Sequence, residues 1–181
     1  HVNNETGVIN PIEDIAAEVK LNNPDIYFHS DCAQSFGKTK LAMNNKNIDM
    51  ISFSAHKFHG PKGVGGLVIR KRDGISLPIK PLMYGGGQER GVRPGTLPVA
   101  LIAGMAKSLE ISIKNQDKWD SECKEIKSMA LDAFKGIQYK VYGTTDQNTL
   151  PNTLSIAFAD LDAEAVILIL KEHAEISTGS A

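Results

Sequence analysis

The sequence has little cysteine. Its 181 residues include two, Cys32 and Cys123, which lie far apart. Such a pair provides neither a disulfide framework nor the paired spacing of a zinc site. We therefore expect two reduced thiols, as in a cytosolic protein, and no metal site. Cys32 is predicted to be a buried packing residue.

The sequence also lacks long apolar runs and an excess of one charge. No apolar stretch reaches the roughly 20 residues that span a bilayer, and the first residues lack the charged-then-apolar pattern of a signal peptide. The 20 basic and 21 acidic residues give a formal net charge of −1. No strong field therefore indicates nucleic acid or an anionic membrane as a partner. These absences predict a cytoplasmic protein that binds neither.

Neither end of the sequence looks like a natural chain terminus. It begins without Met on a polar stretch and ends on Ser-Thr-Gly-Ser-Ala. We expect an interior portion of a longer chain. The apolar content of 41% and charged content of 23% are ordinary for a globular protein, and the length allows one or two domains.

Alternating helix and strand signals predict an α/β fold. Asn10, Pro11 and Glu13 have the spacing of a helix start, with Asn10 as the N-cap. Asp162 is predicted to cap a later helix. Strands are predicted at 25–29, 50–54, 66–70, 139–142 and 153–158.

A long helix is predicted after Pro98. Its expected buried stripe consists of Ile102, Met105, Ala106, Leu109 and Ile113. We place a domain boundary inside this helix, with 1–116 in a larger domain and 117–181 in a smaller one.

The segment from Ser54 to Lys57 directly follows a predicted buried strand. Lysine normally lies in water. At the carboxyl end of a strand it would point into the crevice where α/β proteins bind ligands, and its amine could act there as a nucleophile. Ser54 and His56 could donate hydrogen bonds to a phosphate. Taken alone, the segment is better explained as a surface lysine in a turn.

A second polar segment follows the preceding strand. Asp31 could pair with a protonated pyridine nitrogen, and Gln34, three residues later, could hydrogen-bond a ring hydroxyl. His29 shares a face with Asp31 if the strand continues, because side chains alternate with period two. Taken alone, Asp31 is better explained as the cap of a turn or helix.

The run from Gly85 to Thr96 is rich in glycine. Backbone amides in such turns form anion nests, and the Thr96 hydroxyl lies just before a predicted helix, whose N-terminus attracts anions. The run is neither a Walker loop nor a dinucleotide-binding motif. An interdomain loop explains it equally well.

Together these segments resemble the cysteine desulfurases of nitrogen fixation and iron–sulfur cluster assembly, in the class V aminotransferase superfamily. The motifs that carry the resemblance are 1–7 (HVNNETG), 29–34 (HSDCAQ), 52–57 (SFSAHK), 60–63 (GPKG), the loop 85–96 and 177–181 (STGSA). The implied fold is the large domain of an aspartate aminotransferase-like transferase that uses pyridoxal 5'-phosphate (PLP). It has a mixed, mostly parallel sheet flanked by helices, plus part of a smaller α+β domain.

The resemblance implies a role for each matching position. Lys57 would hold PLP through its amine and later move the α-proton of the substrate. Asp31 would pair with the pyridine nitrogen and Gln34 with the ring oxygen, while Asn4 would lie near the ring oxygen and the substrate carboxylate. The implied phosphate ligands are Ser54, His56 and Thr96, the last reaching into the second subunit's site in an obligate homodimer.

The implied reaction converts L-cysteine to L-alanine and passes sulfur, as an enzyme persulfide, to an iron–sulfur scaffold or another acceptor protein. In this family the sulfur-accepting cysteine follows directly after the stretch that matches 177–181. The sequence stops there, so we expect these residues alone to be inactive. Two alternatives stay open: a selenocysteine lyase or another PLP-dependent carbon–sulfur lyase, and a non-catalytic sulfur-transfer scaffold. Intact Lys57 and Asp31 argue against the scaffold.

Overall fold

A computed structural model describes residues 1–41, 43–143 and 148–178. The helices are α1 (Ile12–Asn22), α2 (Val99–Ala133) and α3 (Ala163–Leu170). The strands are β1 (His29–Asp31), β2 (Met50–Ser54), β3 (Gly65–Ile69), β4 (Tyr139–Tyr142) and β5 (Ser155–Phe158). Short 3-10 helices occupy Ala55–Phe58 and Gln88–Gly91. The motif residues 179–181 lie outside the described ranges.

The chain divides into two compact units. One comprises Pro11–Lys114, and the other combines His1–Asn10 with Asn115–Ala181. Strands β1 to β3 lie in the first unit and the β4–β5 pair in the second. The assignment of 1–116 to a large domain and 117–181 to a small one stays a prediction.

The first unit is built on a mixed sheet in the order β1-β2-β3. Strands β1 and β2 are parallel, whereas β2 and β3 are antiparallel. A mixed sheet with helices is the predicted α/β class. Its core cluster consists of Ile12, Ala16, Cys32, Ile48 and Ile51. Cys32 is fully buried there, which confirms its prediction as a packing residue.

Three phenylalanines form an aromatic cluster next to the sheet. The rings of Phe36 and Phe53 stack with centroids 4.0 Å apart and planes within 4°, and Phe58 packs against both at a tilt. Gly66 allows this arrangement, because a Cβ at that position would lie 2.4 Å from Cζ of Phe53.

The predicted start of α1 is wrong by one residue. Pro11 occupies the N-cap position with ψ 72°, outside the helical region, so regular geometry begins at Ile12. The Asn10 side chain does not cap the helix but donates from Nδ2 to the carbonyl of His1 at 3.1 Å.

The predicted strand at 25–29 is also wrong, because β1 covers His29–Asp31. Side chains rather than a neighbouring strand engage the backbone before it. Arg72 donates from Nη1 to the carbonyls of Pro24 and Asp25 at 3.1 and 3.4 Å, and from Nη2 to that of Ile26. Asp31 is consequently the last residue of the strand instead of following it.

The predicted apolar stripe of α2 agrees with its buried face only in part. The buried residues are Ser108 and Ser112. Of the predicted stripe, Ile102, Met105 and Leu109 are half-buried, whereas Ala106 and Ile113 are exposed. The helix approaches the backbone of the chain after β2, and the Ser112 hydroxyl donates to the carbonyl of Phe58 at 3.3 Å. Small side chains at the two buried positions permit that approach.

The second unit contains the antiparallel β4–β5 pair. Edge-on aromatic contacts join Phe134 at the end of α2 to Tyr139 and Phe158. The Asp162 carboxylate accepts from the Ala165 amide at 3.1 Å, which confirms Asp162 as the cap of α3. Of the helices in 1–41, 43–143 and 148–178, none combines the length and apolarity that crossing a membrane requires.

Candidate active site

Two predicted site residues lie at the same edge of the three-stranded sheet. Asp31 ends β1, and Lys57 lies in the 3-10 helix that directly continues β2. Because β1 and β2 are parallel, their carboxyl ends meet at one edge. Asp31 is the register partner of Ser52. The structure therefore brings an acidic and a basic group to adjacent strand ends.

The backbone around Lys57 is held from both sides. Ala55 and Phe58 are fully buried, and residues three apart lie on the same side of a 3-10 helix. The Ala55 amide donates to the carbonyl of Val64 at 3.0 Å, and the Gly60 amide donates to that of Ala55 at 2.9 Å. Lys57 therefore has a fixed backbone and a half-buried side chain.

In the part of the chain that the structure describes, the Lys57 ammonium is not held by another protein group. Within the described ranges, no hydrogen bond or ion pair engages its Nζ. Its neighbour His56 is exposed, and Ser54 is half-buried at the end of β2. A ligand at this edge would therefore not have to displace an ion pair to reach the amine.

A turn orients the carboxylate of Asp31. Its Oδ1 accepts from the Ala33 amide at 2.7 Å. The Cys32 amide donates to the carbonyl of Ser52 at 2.8 Å, which extends the parallel pairing by one residue. Gln34 lies in the same turn and is half-buried. Gln34 is thus in the same local structure as Asp31.

A row of polar side chains shares the face of Asp31. The register and the alternation of side chains place His29 and Asp31 on one face with Ser52 and Ser54. Nε2 of His29 and Oγ of Ser52 share a hydrogen bond of 3.1 Å. Ser52 was not among the predicted site residues. The signal was available in the alternation of Ser52 and Ser54 with two apolar residues.

An apolar cavity among the described residues lies elsewhere. Ile12, Ile51 and Val68 are among its lining residues. Ile51 and Val68 are register partners that point to the sheet face opposite Ser52. This cavity belongs to the packing of α1 on the sheet and not to the edge that carries Lys57.

Thr96 is exposed at the end of the glycine-rich loop. The loop contains two consecutive left-handed residues, Glu89 with φ 46° and Arg90 with φ 57°. Such conformations are costly for non-glycine residues and are found where the surroundings enforce them. The Gly95 amide donates to Oε1 of Gln88 at 3.1 Å. The role of Thr96 stays a prediction.

Asn4 belongs to the other compact unit. It is exposed in a turn, in which Oδ1 of Asn3 accepts from the amides of Glu5 and Thr6 at 3.0 and 2.9 Å. Its predicted contact with a bound ring stays a prediction.

A buried carboxylate lies at the opposite end of β2. The Asp49 side chain is fully buried, and Arg72 contacts its Oδ1 and Oδ2 at 2.7 and 2.9 Å. Lys20 also contacts Oδ2 at 2.6 Å. Burial by itself raises the pKa of Asp49, but hydrogen bonds from Arg72, Lys20 and the Phe28 amide outweigh it and hold this pKa well below its usual value.

The family model described as Aminotransferase class-V matches residues 1–181. The chain belongs to the aminotransferase class-V family. The matched range includes every predicted site residue of this class-V chain.

Relatives with curated names agree with the expected group. The chain is 41% identical to "Cysteine desulfurase IscS" of Rickettsia bellii over 99% of its own length and 43% of the relative. It is 37% identical to "Cysteine desulfurase, mitochondrial" of Saccharomyces cerevisiae over 99% of its length and 35% of the relative. This class-V chain therefore spans less than half the length of these relatives.

A solved structure has a similar fold. The crystal structure of DndA from Streptomyces lividans superposes with a TM-score of 0.81 at 41% identity, over 95% of this chain and 48% of that one. The predicted class of fold is thus confirmed for this class-V chain.

Proposed function

We propose that the protein containing this chain is a PLP-dependent cysteine desulfurase. The proposal rests on one observation above all: Asp31 and Lys57 lie at the adjacent carboxyl ends of two parallel strands. The cysteine desulfurases at about 40% identity support the same activity. Their length beyond this chain leaves room for further residues that the reaction needs.

The residues at this edge fit PLP in type and in placement. Lys57 supplies an amine without a competing ion pair in the described part of the chain. Asp31 supplies a carboxylate held by the turn that follows it, and Ser54 and His56 supply hydroxyl and imidazole donors for a phosphate next to Lys57. When bound, PLP stabilises negative charge that develops on the substrate α-carbon.

Each protein group has a defined task in the proposed reaction. Asp31 holds a proton on the pyridine nitrogen through an ion pair, and Gln34 positions the ring oxygen. Lys57 first holds the cofactor and then moves the α-proton of L-cysteine, as a general base with its amine in reach of that proton. For Asn4 the resemblance implies a place near the ring oxygen and the substrate carboxylate.

The sulfur step uses a thiolate, which the resemblance assigns to a cysteine directly after the stretch that matches 177–181. That thiolate attacks the sulfur of L-cysteine and forms an S–S bond. The C–S bond breaks with its electron pair left on the β-carbon, which takes up a proton. The products are L-alanine and an enzyme persulfide, which passes sulfur to an iron–sulfur scaffold or another acceptor protein. Cys32 is excluded as the nucleophile because it is fully buried in the core.

The proposed assembly is a homodimer in the cytoplasm. The exposed position of Thr96 on the glycine-rich loop suits a phosphate ligand given to a second subunit. The yeast relative is named as mitochondrial, so cell fractionation decides between the two compartments.

The decisive experiment uses the full-length natural protein and its Lys57→Ala variant. Wild type with PLP should absorb near about 420 nm and should form alanine from L-cysteine. Lys57→Ala should lose that absorbance, and its alanine production should fall to about a thousandth or less. Borohydride reduction followed by peptide mass spectrometry should locate the cofactor on Lys57.

Lys62→Ala is the matched control, because Lys62 is an exposed lysine in the turn after Lys57. It should keep both the absorbance and the activity. A Lys57→Ala protein that retains the band and produces alanine contradicts the proposal. A strong preference for L-selenocysteine over L-cysteine would favour the lyase alternative.

A further inference from the structure

The buried carboxylate of Asp49 is bound by three separate parts of the first unit. Its donors are Lys20 in the last turn of α1, the backbone amide of Phe28 just before β1, and Arg72 after β3. The Phe28 amide donates to Oδ2 at 2.7 Å. Asp49 itself directly precedes β2. One side chain thus joins the amino-terminal ends of both parallel strands to the segment that leaves β3.

Backbone hydrogen bonds strengthen the same junction. The amides of Asp49 and Met50 both donate to the carbonyl of Phe28, at 3.0 and 3.1 Å, and the Arg70 amide donates to the carbonyl of Asp49 at 2.8 Å. The Arg72 guanidinium also stacks over the ring of Tyr27, 4.5 Å from its centroid. The entry into β1 is therefore fixed against the entry into β2.

The register of β1 against β2 sets where Asp31 lies relative to Lys57. A slip of one residue would turn Asp31 to the other face of the sheet. A slip of two residues would keep the face but would move Asp31 by about 6.6 Å along the strand. Apolar packing strongly opposes a slip of one residue, because that slip would expose the buried face of the strand. It opposes a slip of two residues less, because the same face stays buried.

The carboxylate of Asp49 selects between these registers. Its two oxygens meet Arg72, Lys20 and the Phe28 amide together in the observed register. A slipped strand would separate the carboxylate from the Phe28 amide and would strain its pairs with the two cations. A buried charge without its partners is strongly unfavourable.

We propose that Asp49 is a positioning residue, whose contacts with Arg72, Lys20 and Phe28 fix the β1–β2 register and thereby the placement of Asp31 relative to Lys57. The inference rests on the proposed function for its consequence in catalysis. The register itself does not depend on that function. Asp49 touches none of the groups that would react, so it acts through β1 and β2.

The test compares Asp49→Asn with wild type in the full-length protein. Asparagine has the same shape but lacks the charge that Arg72 and Lys20 bind. We expect PLP to dissociate at least about tenfold more readily, the visible absorbance maximum to shift, and kcat to fall more than KM changes. Hydrogen–deuterium exchange of the protein without cofactor should speed up in the peptide that contains Phe28 and β1.

Ile12→Val is the control for a general loss of stability, because Ile12 is buried in the core but does not contact Asp49 through a hydrogen bond. It should lower the melting temperature while the folded protein keeps the wild-type spectrum, PLP affinity and exchange around Phe28. Arg72→Lys keeps the charge but loses the bidentate contact with Asp49. Its effect on PLP affinity, spectrum and exchange should lie between those of wild type and Asp49→Asn.

The inference is overturned if Asp49→Asn behaves as Ile12→Val does, with a lower melting temperature but unchanged PLP affinity, spectrum and exchange. If Asp49→Asn does not fold, Arg72→Lys and Lys20→Met decide by the same measurements. Loss of the proposed function would be visible separately. In that case wild type would fail to bind PLP through Lys57, while the exchange data would still report on the register.

Discussion

Asp31 lies opposite Ser52 where β1 and β2 run parallel, and the chain continues from Ser52 through the end of β2 into the 3-10 helix that carries Lys57. The two groups with opposite charge are thus fixed by one pair of hydrogen-bonded strands. Their placement depends on backbone pairing and on the buried residues Ala55 and Phe58, rather than on a contact between the two side chains.

Asp31→Asn is expected to separate cofactor binding from turnover. Asparagine keeps an oxygen that can accept from the Ala33 amide, so the local turn should persist. It cannot form an ion pair with a protonated pyridine, and loss of such electrostatic stabilisation lowers kcat by about 10² to 10³. The measurement is kcat for alanine formation at saturating PLP.

Asp14→Asn serves as the control, because Asp14 is exposed on α1. It should leave kcat within about twofold of wild type. An Asp31→Asn enzyme with the wild-type kcat would show that Asp31 is not the partner of the pyridine.

Local patterns were sufficient for much of the fold. Strands β2 and β4 were predicted residue for residue, as Met50–Ser54 and Tyr139–Tyr142. The long helix and its continuation past Lys114 were predicted from apolar spacing. These elements follow from alternation and periodicity, which neighbouring residues determine.

Features that depend on distant partners could not be predicted in the same way. The donors to Asp49 come from three separate segments of the sequence, so no local pattern identifies it. Arg72 likewise binds carbonyls in the segment before β1, where a strand was predicted from local pattern. The two buried serines of α2, Ser108 and Ser112, were not predicted, because close approach to a backbone selects small residues over apolar ones.

Gly60→Ala should expose how tightly α2 packs on the Lys57 segment. A Cβ at Gly60 would lie 2.7 Å from Oγ of Ser108 and 2.9 Å from both Cβ and the carbonyl oxygen of Ala55. Overpacking of this kind costs about 1 to 3 kcal/mol. The measurement is the free energy of unfolding by urea, together with PLP affinity.

The matched substitution is Gly87→Ala, because a Cβ there meets nothing within 4 Å and its φ is −84°. It should change the free energy of unfolding by less than about 0.5 kcal/mol. Equal effects of the two substitutions would show that α2 does not pack closely on Gly60. Adding Ser108→Ala to Gly60→Ala should recover part of the loss, since it removes the nearest atom.

Asp49 should make the stability of the protein depend on pH in the acidic range. Its pKa in the folded state is lowered, because hydrogen bonds from Arg72, Lys20 and Phe28 outweigh the opposing effect of burial. A carboxyl of this kind stabilises the fold above its unfolded-state pKa of about 3.9, and the contribution declines as the pH falls from there towards the folded-state pKa. The difference in free energy of unfolding between wild type and Asp49→Asn should therefore be constant from about pH 7 to about pH 5 and should shrink towards about pH 3.

Asp132→Asn, which breaks an exposed pair with Lys135 at 2.9 Å, should give a small difference throughout, because solvent screens such pairs. A difference for Asp49→Asn that stays the same down to about pH 3 would mean that the charge of Asp49 does not stabilise the fold.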